Sequence, residues 1–329
     1  MNTDVSIIVA AYNAADTLDR CLDSLLGQTA GQVQVVCVDD CSTDATPALL
    51  ARRAKEDNRL LILRTTANSG LSAARNLALP HLTGRWTFTC DADDWISSDS
   101  VAHLLAAEHD HSTADALLFR MRKVYDDGRE EPFADWPHSQ TFTGREAIRL
   151  AVDWRIHGDY ALPTKRLQAM PYDARTRIYS DDVTVREHLL TSQLLVQTEA
   201  TYYFYQRSGS LTHTDGLSRL DFIVANTHLR DLLEHYSVDD ATLRKAEAYI
   251  WRVYVGIQRR LTANRAHLSA AEWAAARQVL REALQAMRPD RLPHALRFNP
   301  HSLCLRPYAL LEAYTKLLLC GRRLLHRNY

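Results

Sequence analysis

Val5–Ala11 reads VSIIVAA and Gln32–Asp39 reads QVQVVCVD. The first is apolar almost throughout, and the second is rich in β-branched residues. Neither alternates strictly between polar and apolar, which is the pattern of strands covered on both faces. Between them Leu18, Cys21, Leu22, Leu25 and Leu26 recur at helical spacing behind Asp16, a good N-cap. The rhythm continues. Thr43 or Asp44 caps a helix running to about Glu56, Leu60–Leu63 is a third strand, Leu71–Leu79 a helix and Trp86–Cys90 a fourth strand. This alternation specifies an α/β fold, a mostly parallel sheet with helices on both faces. Such sheets bind ligands beyond the carboxyl ends of their strands, so the chemistry is to be sought there.

Further along, Ala116–Lys123 and Thr201–Gln206 read as strands, and Gly144–Val152 and Asp182–Leu190 as helices. After Leu217 the character changes to long helical stretches, Leu220–Tyr236, Ala241–Leu261 and Ser269–Met287. Four prolines between Arg288 and Pro307 break the helices, and a last one runs from Pro307 to Leu325. The chain therefore divides into an α/β domain, residues 1–216, and a helical C-terminal region, residues 217–329.

The chain has 329 residues, 46% hydrophobic and 24% charged, with a net charge of −1. That length suits two domains with full cores and needs no disulfide staples. The charge balance gives no drive toward nucleic acid. None of the six cysteines forms a CxxC pair, and most lie in apolar segments, so they read as small buried hydrophobes in a reducing compartment. MNTDVSIIVAAYN lacks the basic n-region of a signal peptide, and no apolar run approaches the roughly 18 residues of a membrane span. A cytoplasmic location is expected.

Acids gather at the ends of two strands expected to be neighbours in one parallel sheet. The second strand finishes in Val38-Asp39-Asp40-Cys41-Ser42-Thr43-Asp44, and the fourth in Cys90-Asp91-Ala92-Asp93-Asp94-Trp95. Crowded carboxylates in a crevice are costly, and a divalent cation with hard oxygen ligands, Mg²⁺ or Mn²⁺, removes the cost. The alternative is that the acids cap a helix starting at Ser97 or Ser98. Between the clusters, Asn68-Ser69-Gly70-Leu71-Ser72-Ala73-Ala74-Arg75-Asn76 puts a glycine before a helix start and an arginine one turn in. That arrangement suits a pyrophosphate, or a surface arginine paired with an acid. No GxGxxG or GxxxxGK[ST] is present. Tyr179-Ser180-Asp181-Asp182-Val183 sets two acids before a helix, where capping alone would also explain them. Tyr202-Tyr203-Phe204-Tyr205-Gln206-Arg207-Ser208-Gly209-Ser210-Leu211-Thr212-His213 is an aromatic strand followed by a basic loop.

In order and spacing these segments resemble the family 2 glycosyltransferases, inverting enzymes of the GT-A fold. VSIIVAAYN resembles the opening strand, VDDCSTD the nucleotide-base motif, NSGLSAARN the glycine–arginine motif and DADDW the metal-binding DxD motif. YSDDV resembles the acidic motif that carries the base, and YYFYQRSGSLT the closing strand and loop. Two departures are visible: Ala10 where proline is usual, and Asp181-Asp182 where Glu-Asp is common. The resemblance implies that Ala11, Tyr12, Asp39 and Asp40 surround the nucleotide base, and that Arg75 lies near the base or the diphosphate. Asp91 would contact the ribose or donor sugar and share a metal with Asp93. Asp94 would lie near the donor sugar or metal, Arg207 and Ser210 on the phosphates, and His213 on the metal. Asp182 would be the general base and Asp181 would orient the site. The implied reaction is metal-dependent inverting transfer from a UDP-sugar to a hydroxyl of a saccharide or lipid-linked saccharide, of the kind used for bacterial surface polysaccharides.

Other classes fit less well. A haloacid-dehalogenase-like phosphatase would carry its DxD on the first strand, and a receiver domain its acid pair after the first. A sugar nucleotidyltransferase would want a glycine-rich loop where this chain has AAYNAADT. A non-catalytic sugar-nucleotide-binding module stays open. Leu303–Tyr329 holds five basic residues and one acid, with leucines at helical spacing. It reads either as an interfacial helix on anionic lipid at the inner face of the cell membrane or as a final packed helix. The helical region offers a dimer interface or an acceptor platform. The donor sugar depends on loops such as Asp126–Ser139, which no motif fixes.

Overall fold

The computed structural model describes residues 3–134, 140–156, 159–174, 181–207, 217–297 and 308–325, with side chains at 218 and 321–325 excepted. The chain falls into two compact units, Met1–Ser210 and Leu211–Tyr329. The boundary expected at residue 216 lies in a segment outside the described residues.

The first unit is built from β1 (Val5–Ala11), α1 (Leu18–Leu26), β2 (Val33–Asp39), α2 (Thr46–Glu56), β3 (Leu60–Arg64), α3 (Leu71–Ala78) and β4 (Trp86–Asp91). There follow β5 (Trp95–Ile96), α4 (Ser100–Asp110), β6 (Ala116–Tyr125), β7 (Glu130–Pro132), β8 (Thr141–Phe142) and α5 (Gly144–Ala151). It closes with β9 (Tyr160–Pro163), α6 (Thr164–Ala169), α7 (Asp181–Leu190) and β10 (Leu195–Gln206). Val5, Ile7, Ile8 and Val9 of β1 are fully buried, as a strand sandwiched between helical layers requires.

The strands form one sheet in the order β3-β2-β1-β4-β9-β6-β10-β5. The β3-β2-β1-β4 half is parallel, as is the β6–β10 pair. The chain runs outward from β1 to β3 and then returns to β4 on the other side of β1. That reversal opens a crevice at the carboxyl ends of β1 and β4. Two expectations are corrected here. The acid clusters after β2 and β4 are not on neighbouring strands, because β1 runs between them. The sheet is also less parallel than the pattern suggests, since β9 runs antiparallel to both β4 and β6. This strand joins its neighbours through Thr87↔Leu162 and Leu117↔Ala161, pairs too few and too distant in sequence to leave a periodic signal.

Smaller corrections concern caps and cysteines. Thr17 rather than Asp16 precedes α1 and makes no side-chain capping bond. Asp44 does serve α2, accepting the Thr46 N–H at 2.9 Å. Cys21, Cys37 and Cys90 are buried as expected, but Cys320 is exposed and Cys41 half-buried. Cys304 lies outside the described residues.

Gly144 opens α5 behind a capping box formed by Thr143 and Glu146. A Cβ there would fall 2.1 Å from the Leu190 carbonyl oxygen and 2.6 Å from that of Ser192, at the end of α7. Both obstacles are backbone and cannot swing aside. Gly144→Ala is expected to cost about 1–3 kcal/mol and to lower the melting temperature by several degrees, read by thermal denaturation.

On the buried face of α7, His188 is enclosed between Tyr160 and Met170. The Tyr160 hydroxyl donates to Nδ1 and Nε2–H donates to the Met170 carbonyl, each at 2.7 Å. Burial pushes the imidazole down to about 4; the bond to Met170 opposes the shift and nearby Arg166 adds to it. In the unfolded chain the same group titrates near 6.5. Between those values the unfolded state binds more protons. The contribution to stability is therefore complete above pH 6.5 and is lost as pH falls toward 4, amounting to about 3 kcal/mol. Denaturant melts at pH 7.5 and 4.5 should show that His188→Gln loses less stability on acidification than the parent chain. Equal losses would refute the neutral-imidazole assignment.

The second unit holds α8 (Leu220–His235), α9 (Asp240–Ala263), α10 (Ala270–Ala286), α11 (His294–Arg297) and α12 (Tyr308–Leu325). Its core gathers Ile223, Trp251, Tyr254, Ile257, Leu280 and Leu311. Arg230 forks onto Glu247 with both side chains buried, Nε–Oε2 at 2.9 Å and Nη2–Oε1 at 3.1 Å, and the Arg288 N–H adds a third bond to Glu247 at 2.7 Å. Such a pair is tolerable in a core because its acceptors are satisfied. Among the described residues no helix is long and apolar enough to cross a membrane.

Candidate active site

Sheet register puts the expected residues at one edge. Ala11 lies beside Asp39, and Ala10 beside Asp91. At the end of β1 the Ala11 carbonyl accepts the Asp40 N–H at 2.8 Å, and Tyr12 stands 49% exposed. Asn13 follows at φ +49°, a conformation asparagine tolerates. Its Oδ1 accepts the Thr43 N–H at 2.8 Å, while its own N–H donates to the Ser42 hydroxyl at 3.0 Å. The turns after β1 and β2 are thus locked together.

The two acids that end β2 have different work. Asp39 is buried, and its Oδ1 accepts the Ser42 N–H at 2.9 Å. Its Oδ2 lies 3.3 Å from Arg64 Nε yet makes no hydrogen bond. Asp40 is fully engaged, accepting from the Ser69 N–H and hydroxyl, the Thr65 hydroxyl and the Gly70 N–H, all within 3.1 Å. Burial opposes its charge, but those bonds prevail and hold the carboxyl below its usual value. Gly70 sits at φ +88°, which favours glycine and presents its N–H to Asp40. Expected among the nucleotide contacts, Asp40 instead spends its acceptors on the loop that starts α3.

The turn after β4 is pinned from two sides. The Tyr202 hydroxyl accepts the Asp91 N–H at 3.0 Å and donates to Asp94 Oδ2 at 2.8 Å; Asp94 Oδ1 accepts the Tyr205 N–H at 2.8 Å. Asp94 is buried, and its carboxyl is pushed well up by burial, then by Asp91 and Asp93. Its acceptors are taken by β10, so it shapes the turn. From the other side Arg20 donates to the Asp93 carbonyl at 2.9 Å, with its guanidinium over the rings of Trp95 (3.8 Å) and Tyr205 (4.4 Å). Neither Arg20 nor the Tyr202 hydroxyl was singled out in the sequence. Arg20 is a helix-surface arginine there, 73 residues from Asp93. None of the acids caps α4, which begins at Ser100.

Arg75 joins the turn to α7. It is buried, and Nη2 meets Asp91 Oδ1 at 2.9 Å while Nη1 meets Asp181 Oδ2 at 2.7 Å. Burial disfavours its charge, but the two carboxylates outweigh burial and raise its pKa further. Tyr172 covers the guanidinium at 5.3 Å, held there by reciprocal bonds between its backbone and the Asn76 amide. Asp91 is ringed by protein but keeps 42% of its side-chain surface open. Burial lifts its carboxyl to about 6; Arg75 pulls it back, and Asp93 and Asp181 push it on. Thus Arg75, expected beside the base or diphosphate, spends its donors on Asp91 and Asp181. Asp182 has a separate partner, with Oδ2 3.0 Å from Nη1 of the fully buried Arg186.

Among the described residues no three His, Cys, Asp or Glu side chains gather to hold a metal ion. Ser210 and His213 lie outside the described residues. The donors that are described still suit a hard cation, because Mg²⁺ is commonly held by one or two carboxylates with substrate phosphates completing the shell. Asp93 is partly open and already faces a positive group, Arg207 Nε at 3.6 Å, a buried donor with no hydrogen bond.

Comparison with known proteins places this arrangement. The sequence model of the family described as "Glycosyl transferase family 2" matches residues 6–162. The succinoglycan biosynthesis protein ExoO of Rhizobium meliloti is 30% identical over 247 residues, 72% of this chain and 70% of that protein. Among solved structures, S. aureus TarS 1–349 superposes with a TM-score of 0.71 at 20% identity, covering 97% of this chain and 91% of that one, and has been solved with UDP and with UDP-GlcNAc. A Pyrobaculum calidifontis mannosyltransferase, solved with GDP-Man and Mn²⁺, superposes at 0.53 and 20% identity over 96% of this chain and 85% of its own. With the GT-A architecture and the ExoO match over more than two thirds of both chains, this protein belongs to glycosyltransferase family 2 and is a transferase enzyme.

Proposed function

We propose that the crevice transfers a sugar from a UDP-sugar to a hydroxyl of a saccharide acceptor, with inversion at C1, in the synthesis of a surface polysaccharide. The observation that carries this reading is the Asp91–Arg75–Asp181 bridge at the carboxyl edge of β4, with Asp39 at the same edge of the sheet on β2. Asp39 Oδ2, with no hydrogen bond of its own, suits a uracil ring N–H, and the exposed Tyr12 ring suits the face of the base. The relatives support the class: ExoO is named for succinoglycan synthesis, and TarS binds UDP and UDP-GlcNAc.

In the reaction an acceptor oxygen forms a bond to C1 as the C1–phosphate oxygen bond breaks. That electron pair leaves on the diphosphate, and the acceptor proton goes to a carboxylate. Asp182 takes the proton. Asp181 holds Arg75, which in turn holds Asp91, so Asp181 is the positioning residue. Asp93, aided by Asp91, would hold a divalent cation, Mn²⁺ or Mg²⁺, whose charge stabilises the leaving diphosphate. Arg207 lies on the same side for the phosphates, and Asp40 and Asp94 act through the turns they hold. Ser210 and His213 complete the phosphate and metal sides in this reading.

The test is calorimetric titration of UDP with Mn²⁺ and then with EDTA. Binding that needs the metal and is lost in Asp93→Ala supports donor class and metal site together. Binding of GDP, CMP or dTDP in place of UDP overturns the donor, and no nucleotide binding overturns the catalytic reading.

A further inference from the structure

α12 presents two distinct faces. One packs on its own unit: Leu311 and Thr315 are fully buried, and Tyr308 and Glu312 nearly so. The Thr315 hydroxyl donates to the buried Gln258 at 2.9 Å. The opposite face would carry polar side chains on an ordinary surface helix. Here it reads Leu310, Ala313, Leu317 and Cys320, all exposed, at steps of three, four and three that keep them in one stripe. Leu310 is 52% and Leu317 71% exposed, two of the few large apolar side chains left open among the described residues. The expectation of a packed final helix and that of an interfacial one are therefore compatible, since each uses a different face.

The charge beside the stripe has one sign. Lys316 is exposed at its border, while the single acid of the segment, Glu312, lies on the packed face and is paired with Arg277 at 2.9 Å and Lys316 at 2.8 Å. The sequence beyond Cys320 adds Arg322, Arg323 and Arg327 and no acid.

We propose that the outward face of α12 docks on a membrane surface rich in anionic phospholipid, lying in the plane of the headgroups. The helix is too polar on its packed face to cross a bilayer, and its unit needs that face for its core. An in-plane helix needs only one apolar stripe, sunk roughly 5–10 Å into the headgroup boundary. Basic residues near an anionic leaflet add electrostatic attraction to it. The stripe and the basic run supply both terms, and this inference does not depend on the donor or on which acid is the base.

Flotation of the full chain with vesicles tests it. Vesicles of phosphatidylcholine and phosphatidylglycerol should carry the protein upward, vesicles of phosphatidylcholine alone far less, and raised salt should reduce the effect. Leu310→Ser with Leu317→Ser should lower partition about tenfold or more, with the melting temperature and UDP binding unchanged because neither side chain is in the core. No flotation, flotation indifferent to anionic lipid, or equal flotation of the double variant each overturns the proposal. A dimer seen by light scattering that the same variant dissolves would assign the face to a second copy and overturn it too.

Discussion

Asp182→Asn should reduce transfer by about 10²- to 10⁴-fold while leaving UDP affinity within a factor of about two. The amide keeps the shape of the side chain but cannot take the acceptor proton. The pair with buried Arg186 complicates the experiment, because an arginine left without its counter-charge in a core is destabilising. Thermal melts therefore come first, and Asp182→Glu is the companion variant. It keeps the charge and should retain more activity than the amide despite a displaced carboxylate. Asp181→Asn should behave differently. It weakens the bridge to Arg75 and so disturbs Asp91, and it should raise the KM for the donor along with a smaller fall in kcat. If Asp181→Asn abolishes transfer and a folded Asp182→Asn retains more than about a tenth of it, the roles are reversed.

The sequence could not decide between these acids for a geometric reason. Consecutive residues at a helix start point about 100° apart, so the two acids meet different partners, Asp181 with Arg75 and Asp182 with Arg186. Which is which depends on how α7 is rotated against its neighbours, and that rotation is set by contacts such as Arg186 with the Ala151 carbonyl, 35 residues away. The parallel half of the sheet was legible because β1 and β2 are buried on both faces and say so at every position. The site motifs were legible as a set because their order along the chain reproduces the strand ends that line the crevice. What the motifs do locally was not. Asp40 and Asp94 look like ligands in a string of acids, yet each is consumed by backbone N–H groups and hydroxyls of a loop or strand far along the chain. Tyr202 was visible only as one aromatic among several. Its role follows from the register that sets it against Ile96 and brings its hydroxyl to Asp91 and Asp94.

Replacing Arg75 should have the larger structural effect. Arg75→Met removes the cation between Asp91 and Asp181 and leaves two carboxylates facing each other across the space it filled. Losing one partner of a buried ion pair costs about 3–5 kcal/mol, and the open side of Asp91 argues for the lower end of that range. Activity should fall by at least about 10²-fold, because Asp91 then faces Asp181 without the guanidinium that the two carboxylates share. Arg75→Lys discriminates between two roles. If Arg75 met the diphosphate directly, as its motif suggested, a lysine would preserve a point charge, with UDP affinity partly kept and stability hardly changed. If it acts as the structure arranges it, one ammonium must serve from a single nitrogen the two carboxylates that Nη1 and Nη2 meet separately. Lysine should then behave nearly as badly as methionine, in melting temperature as well as in turnover. A lysine variant with full stability and weakened UDP binding would return Arg75 to the nucleotide and leave Asp181 without its positioning role.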